Sequence, residues 1–254
     1  MRVYLCGRVT IEMPAGIIED RAFPGRQGRL AFVYLASRRA RPVTRVDLAE
    51  ALWGDTVPEA WDTALNTIAS RLRALLRPLA DGSTSVVSSQ FGHFQLELPA
   101  DTWVDLEASR LAIDDAEGAW RRGDASTAWG SANVAVATAR RPFLPEEHAP
   151  WIEKERQRLQ STLFRGLCCL SDVALGNQEH PLAQEFASEA IALSPGNETA
   201  YRRLMRAHVL AGNRGEALRV YARCREVLGD ELGTEPAPET QSLYLAILQR
   251  GVIG

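Results

Sequence analysis

Lysine is nearly missing from this chain: Lys154 stands alone among 29 basic residues. With the abundance of alanine, that usage points to a GC-rich genome and says nothing of mechanism. Long apolar runs are missing too. None approaches the roughly 20 residues needed to cross a bilayer, and the opening MRVYLCGRVTIEM carries no signal-peptide cleavage pattern. A cytoplasmic protein with no membrane contact is expected. Cys6, Cys168, Cys169 and Cys224 lack metal-ligand spacing, and the adjacent pair, inside an apolar helical stretch, reads as buried free thiols. His93, His148, His180 and His208 are scattered, and there is neither a phosphate-cradling glycine loop nor a nucleophile elbow. No catalytic residue, metal or cofactor is therefore expected, and an enzyme is disfavoured.

The length of 254 residues suits two domains, each with its own core, and 46% hydrophobic with 24% charged residues is ordinary for a globular protein. The net charge of −3 does not suggest a nucleic-acid binder, but it is uneven. Residues 1–98 hold twelve arginines against ten carboxylates, so that part is +2 and the remainder −5. Such an excess supports phosphate contact only weakly.

Alternation predicts strands at Val3–Leu5 and Val9–Ile11, with a third near Ile17–Ile18. A first helix starts at Phe23–Pro24, where proline suits the opening turn, and carries Leu30, Val33 and Leu35 to about Ser37. Pro42 forces a break. A second helix begins at Thr44-Arg45-Val46-Asp47, a capping-box variant, and stops at Trp53-Gly54. The third, Pro58–Leu79, places Leu65, Ile68, Leu72, Leu75, Leu76 and Leu79 on one stripe of 3.6-residue period. Asp81-Gly82-Ser83 then turns the chain into a short hairpin, Ser85–Leu98, in which Phe94, Leu96 and Leu98 alternate with Gln95 and Glu97.

Strands, three helices and a hairpin in that order are the anatomy of a winged helix. The face of the third helix opposite its apolar stripe carries Thr63, Asn66, Thr67 and Ser70, flanked by Arg71 and Arg73, with Arg77 beyond. Short polar side chains let a helix sit deep in a groove and reach base edges, while arginines reach guanine or phosphate. A solvated face with surface arginines would show the same spacing, and Arg73 could equally serve an internal pair. The hairpin and the preceding helices favour a DNA reader. Thr63 and Asn66 are expected at base edges, Thr67 and Ser70 at bases or phosphate, and Arg71, Arg73 and Arg77 at phosphate or guanine. Gln90 and His93 in the wing are expected at the minor groove or a phosphate.

Pro99-Ala100-Asp101 reads as a junction. From Asp105 onward the chain is helical and repetitive: a unit over Leu106–Ala139 turns at Gly123-Asp124 and packs with Trp120 and Trp129, and a long helix covers Pro150–Leu175. Ala183, Ala187, Ala190 and Pro195, then Tyr201, Leu204, His208, Gly212, Ala217 and Tyr221, follow the large–small alternation of 34-residue helical-hairpin repeats. Since no single unit can bury its own face, about three hairpins are expected to stack into a curved array.

Taken together, Ala51-Leu52-Trp53-Gly54, Ala64-Leu65-Asn66, Ser70-Arg71-Leu72-Arg73, Glu216–Tyr221 and, most specifically, Asp230–Thr240 (DELGTEPAPET) make the chain resemble the SARP family of actinobacterial antibiotic regulatory proteins, over Met1–Arg250. The resemblance implies a mainly α fold in two domains: an OmpR/PhoB-type winged helix-turn-helix over 1–99, and a bacterial transcriptional activator domain of tetratricopeptide-like helices over 104–250. It implies an activator of a biosynthetic gene cluster that binds direct repeats in double-stranded promoter DNA as a dimer or as side-by-side protomers, and that recruits RNA polymerase holoenzyme. The loop of Gly54, Asp55, Thr56 and Val57 is the implied polymerase contact, with an ordinary connector as the alternative. With no receiver or ATPase module, the chain resembles the small, standalone members. Thr67-Ile68 departs from the family's usual valine–histidine, and Gln90-Phe91-Gly92-His93-Phe94 lacks the usual arginine before Gly-Tyr. Two other classes remain open. One is an interaction adaptor, whose helical array binds a peptide while DNA binding is weakened; the other is a ligand-gated regulator with Arg140, Arg141, Trp151 and Arg156 lining a groove, although a solvated face around one core tryptophan would look alike.

Overall fold

A computed structural model describes residues 1–14, 16–79 and 86–250. Its first unit joins Met1–Ala108 with Arg141–Gln157, and its second joins Ser109–Arg140 with the chain from Arg158 onward. Among the described residues the elements run β1 (Arg2–Tyr4), β2 (Thr10–Met13), β3 (Gly16–Ile18), α1 (Gly25–Ala36), β4 (Val43–Thr44), α2 (Arg45–Trp53), α3 (Trp61–Leu76), β5 (Val87–Gln90), β6 (His93–Leu96), β7 (Trp103–Val104), α4 (Asp105–Arg121), α5 (Ala125–Ala139), α6 (Pro150–Gly176), α7 (His180–Leu193), α8 (Glu198–Leu210), α9 (Arg214–Leu232) and α10 (Pro238–Arg250). The fold is mainly α: a winged helix with an N-terminal sheet, followed by a tetratricopeptide-like array.

In the first unit β1, β2 and β3 form an antiparallel meander with Val3 opposite Ile11 and Ile11 opposite Ile18, which sets all three side chains on the buried face. Two strands go beyond the sequence-based expectation. β7 lies parallel to β1, Val104 beside Val3, and completes the order β3-β2-β1-β7. β4 joins the hairpin as β4-β6-β5, Val43 facing Phe94. The Thr44 hydroxyl accepts from the Asp47 N–H at 3.0 Å to cap α2, and Gly54 closes that helix at φ 57°.

Helix α3 is shorter than its hydrophobic period suggested. Pro58–Ala60 make a turn, the Trp61 N–H donating to the Pro58 carbonyl, and beyond Leu76 the helix tightens into a 3-10 turn over Arg77–Leu79. Pro78 has no N–H to continue the α-helical ladder. Leu65, Ile68, Leu72 and Leu76 are buried, and Leu75 is half-buried. The expected Asp81-Gly82-Ser83 turn lies outside the described residues, as does the Leu79 side chain.

One carboxylate locks the start of the sheet. Asp105, 1% exposed, accepts from the Leu5 N–H (2.9 and 3.0 Å to its two oxygens), the Cys6 N–H (2.9 Å) and the Leu106 N–H (2.8 Å). Burial pushes its carboxyl above the ordinary range, while the three donors pull it down. Further along the chain, Arg141–Gln157 belongs to the same unit. The Gly7 N–H donates to the Pro142 carbonyl at 2.7 Å, and Glu147, 3% exposed, receives Arg26 and Arg29 of α1 at 2.6 and 3.0 Å. Trp151 donates its indole N–H to the Ala51 carbonyl at 3.0 Å and meets Tyr34 edge-on at 5.1 Å.

In the second unit small residues let helices approach closely. Ala116, Ala119, Ala128, Ala132 and Val136 pack with Cys169, Leu170 and Val173; Leu167, Ala187, Ala190, Tyr201, Leu204, Cys224 and Leu228 form the next layer; and Met205, Val209, Ala217, Leu243 and Ile247 form the last. The DELGTEPAPET stretch is structural here. Gly233 ends α9 in the left-handed region, the Ala237 N–H donates to the Glu198 carboxylate, and Arg202 donates to the buried Thr240 hydroxyl at 2.9 Å. Where α6 crosses α5, a methyl on Gly166 would stand 2.5 Å from Val136 Cγ2. A helical valine has one favoured rotamer. Gly166→Ala should therefore lower stability by about 1–3 kcal/mol in spite of alanine's better helix propensity; a melting temperature equal to or above wild type in a thermal melt would refute the close packing.

Candidate nucleic-acid interface

The geometry starts from α3. Its buried stripe faces the first unit's core and leaves Thr63, Asn66, Thr67, Ser70 and Arg71 exposed along one face, with Arg77 exposed just beyond the helix. The Thr67 hydroxyl donates to the Thr63 carbonyl at 3.0 Å, which keeps that side chain flat on the helix. Arg73 sits apart from the other arginines: half-buried, it donates Nε–H to the Val87 carbonyl of β5 at 2.7 Å. Among the described residues its contact is with the wing backbone, not with an acid.

A residue that periodicity did not single out joins the two halves of the interface. Arg45, at the start of α2, donates its backbone N–H to the Gly92 carbonyl in the wing turn at 3.1 Å. Its guanidinium donates to the Asp62 carboxylate at 2.7 Å and to Asn66 Oδ1 at 3.0 Å, and lies 5.1 Å from the centre of the Phe94 ring. The wing turn and the exposed face of α3 are thus held by one residue, the turn through its backbone N–H and the helix through its guanidinium. Asn66 accepts through its oxygen and is exposed, which leaves its NH2 to donate to an acceptor.

In the wing, Gln90 and His93 are exposed and paired across β5 and β6. His93 Nδ1–H donates to the Phe91 carbonyl at 2.9 Å, so Nε2 is the ring nitrogen left for a ligand. Gly54, Asp55, Thr56 and Val57 are all exposed, and Thr56 folds back on the Trp53 carbonyl through both its N–H and its hydroxyl.

Of the four side chains considered for a ligand groove, three have partners inside their own units. Trp151 is bonded to Ala51, Arg156 donates to the Phe143 and Glu147 carbonyls at 2.9 Å each, and Arg140 pairs with Glu189 at 2.5 Å in the second unit. A cavity of about 270 Å³ in the second unit is lined instead by Trp120, Phe164, Arg165, Cys168, Cys169 and Arg203, among others. Two of its three arginines are paired with its carboxylates: Arg165 with Glu117 at 2.7 Å, which holds that carboxyl below its ordinary value, and Arg203 with Asp172 at 2.6 Å. Burial pushes the Cys168 and Cys169 thiols up to about 11, which leaves them inert at neutral pH. Among the described residues no helix is long and apolar enough to cross a membrane.

Comparison with known proteins agrees with this architecture. The bacterial transcriptional activator domain matches residues 104–248. Regulatory protein AfsR of Streptomyces coelicolor is 31% identical over 231 residues, covering 91% of this chain and 23% of AfsR. Regulatory protein DnrI of Streptomyces peucetius is 26% identical, covering 88% of this chain and 84% of DnrI. The chain thus spans about a quarter of the length of the AfsR proteins that it matches. Among solved structures, Mycobacterium tuberculosis EmbR, in complex with a low-affinity phosphopeptide, shares the fold with a TM-score of 0.85 at 19% identity, over 100% of this chain and 66% of that one. The chain belongs to the bacterial transcriptional activator domain family, among its SARP-type regulators.

Proposed function

We propose that the protein is a sequence-specific DNA-binding transcriptional activator that lays α3 in the major groove of promoter DNA and its wing against the adjacent backbone and minor groove. The observation that carries this reading is the exposed polar face of α3, tied by Arg45 to the wing turn. Thr63 and Asn66 read base edges, Thr67 and Ser70 contact bases or phosphate, and Arg71 and Arg77 neutralise phosphate or read guanine. Arg73 contributes by fixing the wing. Residues 1–99 form the reader, residues 104–250 the activator domain. The Gly54–Val57 loop, exposed beside α3, offers a surface to RNA polymerase. Direct repeats occupied by side-by-side protomers, a biosynthetic gene cluster as target and a cytoplasmic location complete the proposal, by analogy with the regulators that the chain resembles.

Selection of bound fragments from sheared actinobacterial genomic DNA tests it. A recurrent motif, repeated at a spacing near one helical turn, is the expected result. Absence of enrichment even at low salt would discard the reading.

A further inference from the structure

Among the described residues Phe91 is the most exposed large hydrophobic side chain, at 97%, and it stands at the apex of the wing. Phe91 and Gly92 are the two central residues of the β5–β6 turn, between the paired Gln90 and His93, and both have positive φ, 49° and 77°. That is a two-residue type I′ hairpin turn, whose first position favours asparagine, aspartate or glycine because left-handed backbone crowds a Cβ. A phenylalanine there is wrong for the turn and wrong for solubility. None of the described residues covers it. A strained backbone and an exposed aromatic on one residue point to a ligand outside the chain.

The position of the turn says which ligand. Gly92 is bonded through Arg45 to Asp62 and Asn66 at the start of α3, so the turn has a fixed place beside the face that reads DNA. The four turn residues, Gln90 to His93, hold neither arginine nor lysine. A wing without fixed positive charge can still grip the minor groove through an apolar side chain, since the deoxyribose edges that wall it are themselves apolar and minor-groove proteins commonly insert such residues. We propose that Phe91 enters the minor groove and packs its ring against the deoxyribose wall, replacing by apolar contact the grip that a charged wing takes from phosphates. This rests on the DNA-binding reading above.

Phe91→Asn and Phe91→Ala, made in the full chain, separate the possibilities. The probe is the duplex recovered by genomic selection, with affinity measured across a salt series and thermal melting in parallel. Both variants should bind about tenfold more weakly, with the slope of log affinity against log salt unchanged, because no charge is lost. Phe91→Asn should meanwhile melt about 1–4 °C higher, because asparagine suits the left-handed position. Phe91→Arg should restore affinity and steepen the slope by about one. Wild-type affinity in Phe91→Asn, or a shallower slope in either neutral variant, would overturn the proposal. Failure of the wild-type protein to select any duplex would instead remove the DNA-binding reading beneath it.

Discussion

Asp105→Ala should lower the melting temperature of the first unit by about 6–12 °C, corresponding to roughly 3 kcal/mol. The substitution removes the acceptor of the Leu5 and Cys6 N–H groups, and both residues are buried, at 0% and 1% exposure. A buried N–H left without a partner costs about 1–3 kcal/mol, and the carboxylate site is itself buried, at 1% exposure. The Leu106 N–H, at the first turn of α4, loses its partner as well. Asp105→Asn keeps one accepting oxygen but turns an NH2 toward a donor, so its loss should fall between wild type and alanine. Thermal denaturation of the three proteins measures this. Equal stability of wild type and Asp105→Ala would mean that the carboxylate does not hold the Leu5–Cys6 backbone to the chain at Asp105–Leu106.

Arg71→Ala carries the second large effect, and it falls on binding. Arg71 is exposed on the polar face of α3, so its loss should leave the melting temperature within about 1 °C, surface changes costing little. Specific affinity should fall by about 1–3 kcal/mol, one to two orders of magnitude in Kd, if the guanidinium reads guanine. If it meets phosphate instead, affinity should fall evenly across sequences and the salt slope should drop by about one. Gel shifts on the selected duplex and on scrambled DNA distinguish these outcomes, and retained specific binding would take Arg71 off the interface. Arg73→Ala is the informative contrast. Because Arg73 holds the Val87 carbonyl, its loss should lower stability together with affinity.

Local signals were legible in the sequence and distant ones were not. The Thr44 cap, the Leu65–Leu76 stripe and the alanines of α7 are written at spacings of three and four, so their helices and buried faces follow from period alone. β4 and β7 are two residues long, too short for alternation to register, and β7 pairs with a strand some hundred positions earlier. The role of Asp105 is hidden for the same reason, since its partners Leu5 and Cys6 come from the opposite end of the unit. Spacing places Arg71 and Arg73 on neighbouring positions of the same helix. Only the path of β5 decides that one faces outward and the other reaches a wing carbonyl. Arg45 looked like part of a helix cap, and nothing local points from it to Asp62 or the wing turn. Trp151 suggested a groove; its indole proton is spent on Ala51.

The first unit is written in two separate stretches of the chain, and the second stretch, Arg141–Gln157, brings Glu147 to α1 and Trp151 to α2. Recombination between related regulators that exchanged only the leading segment would part α1 and α2 from the residues fitted to them. Swapping specificity by a single crossover is therefore penalised, and a productive hybrid must inherit both stretches from one parent. If α3 and the wing read DNA as proposed, new preferences are more readily reached by point changes there than by exchanging the leading segment alone.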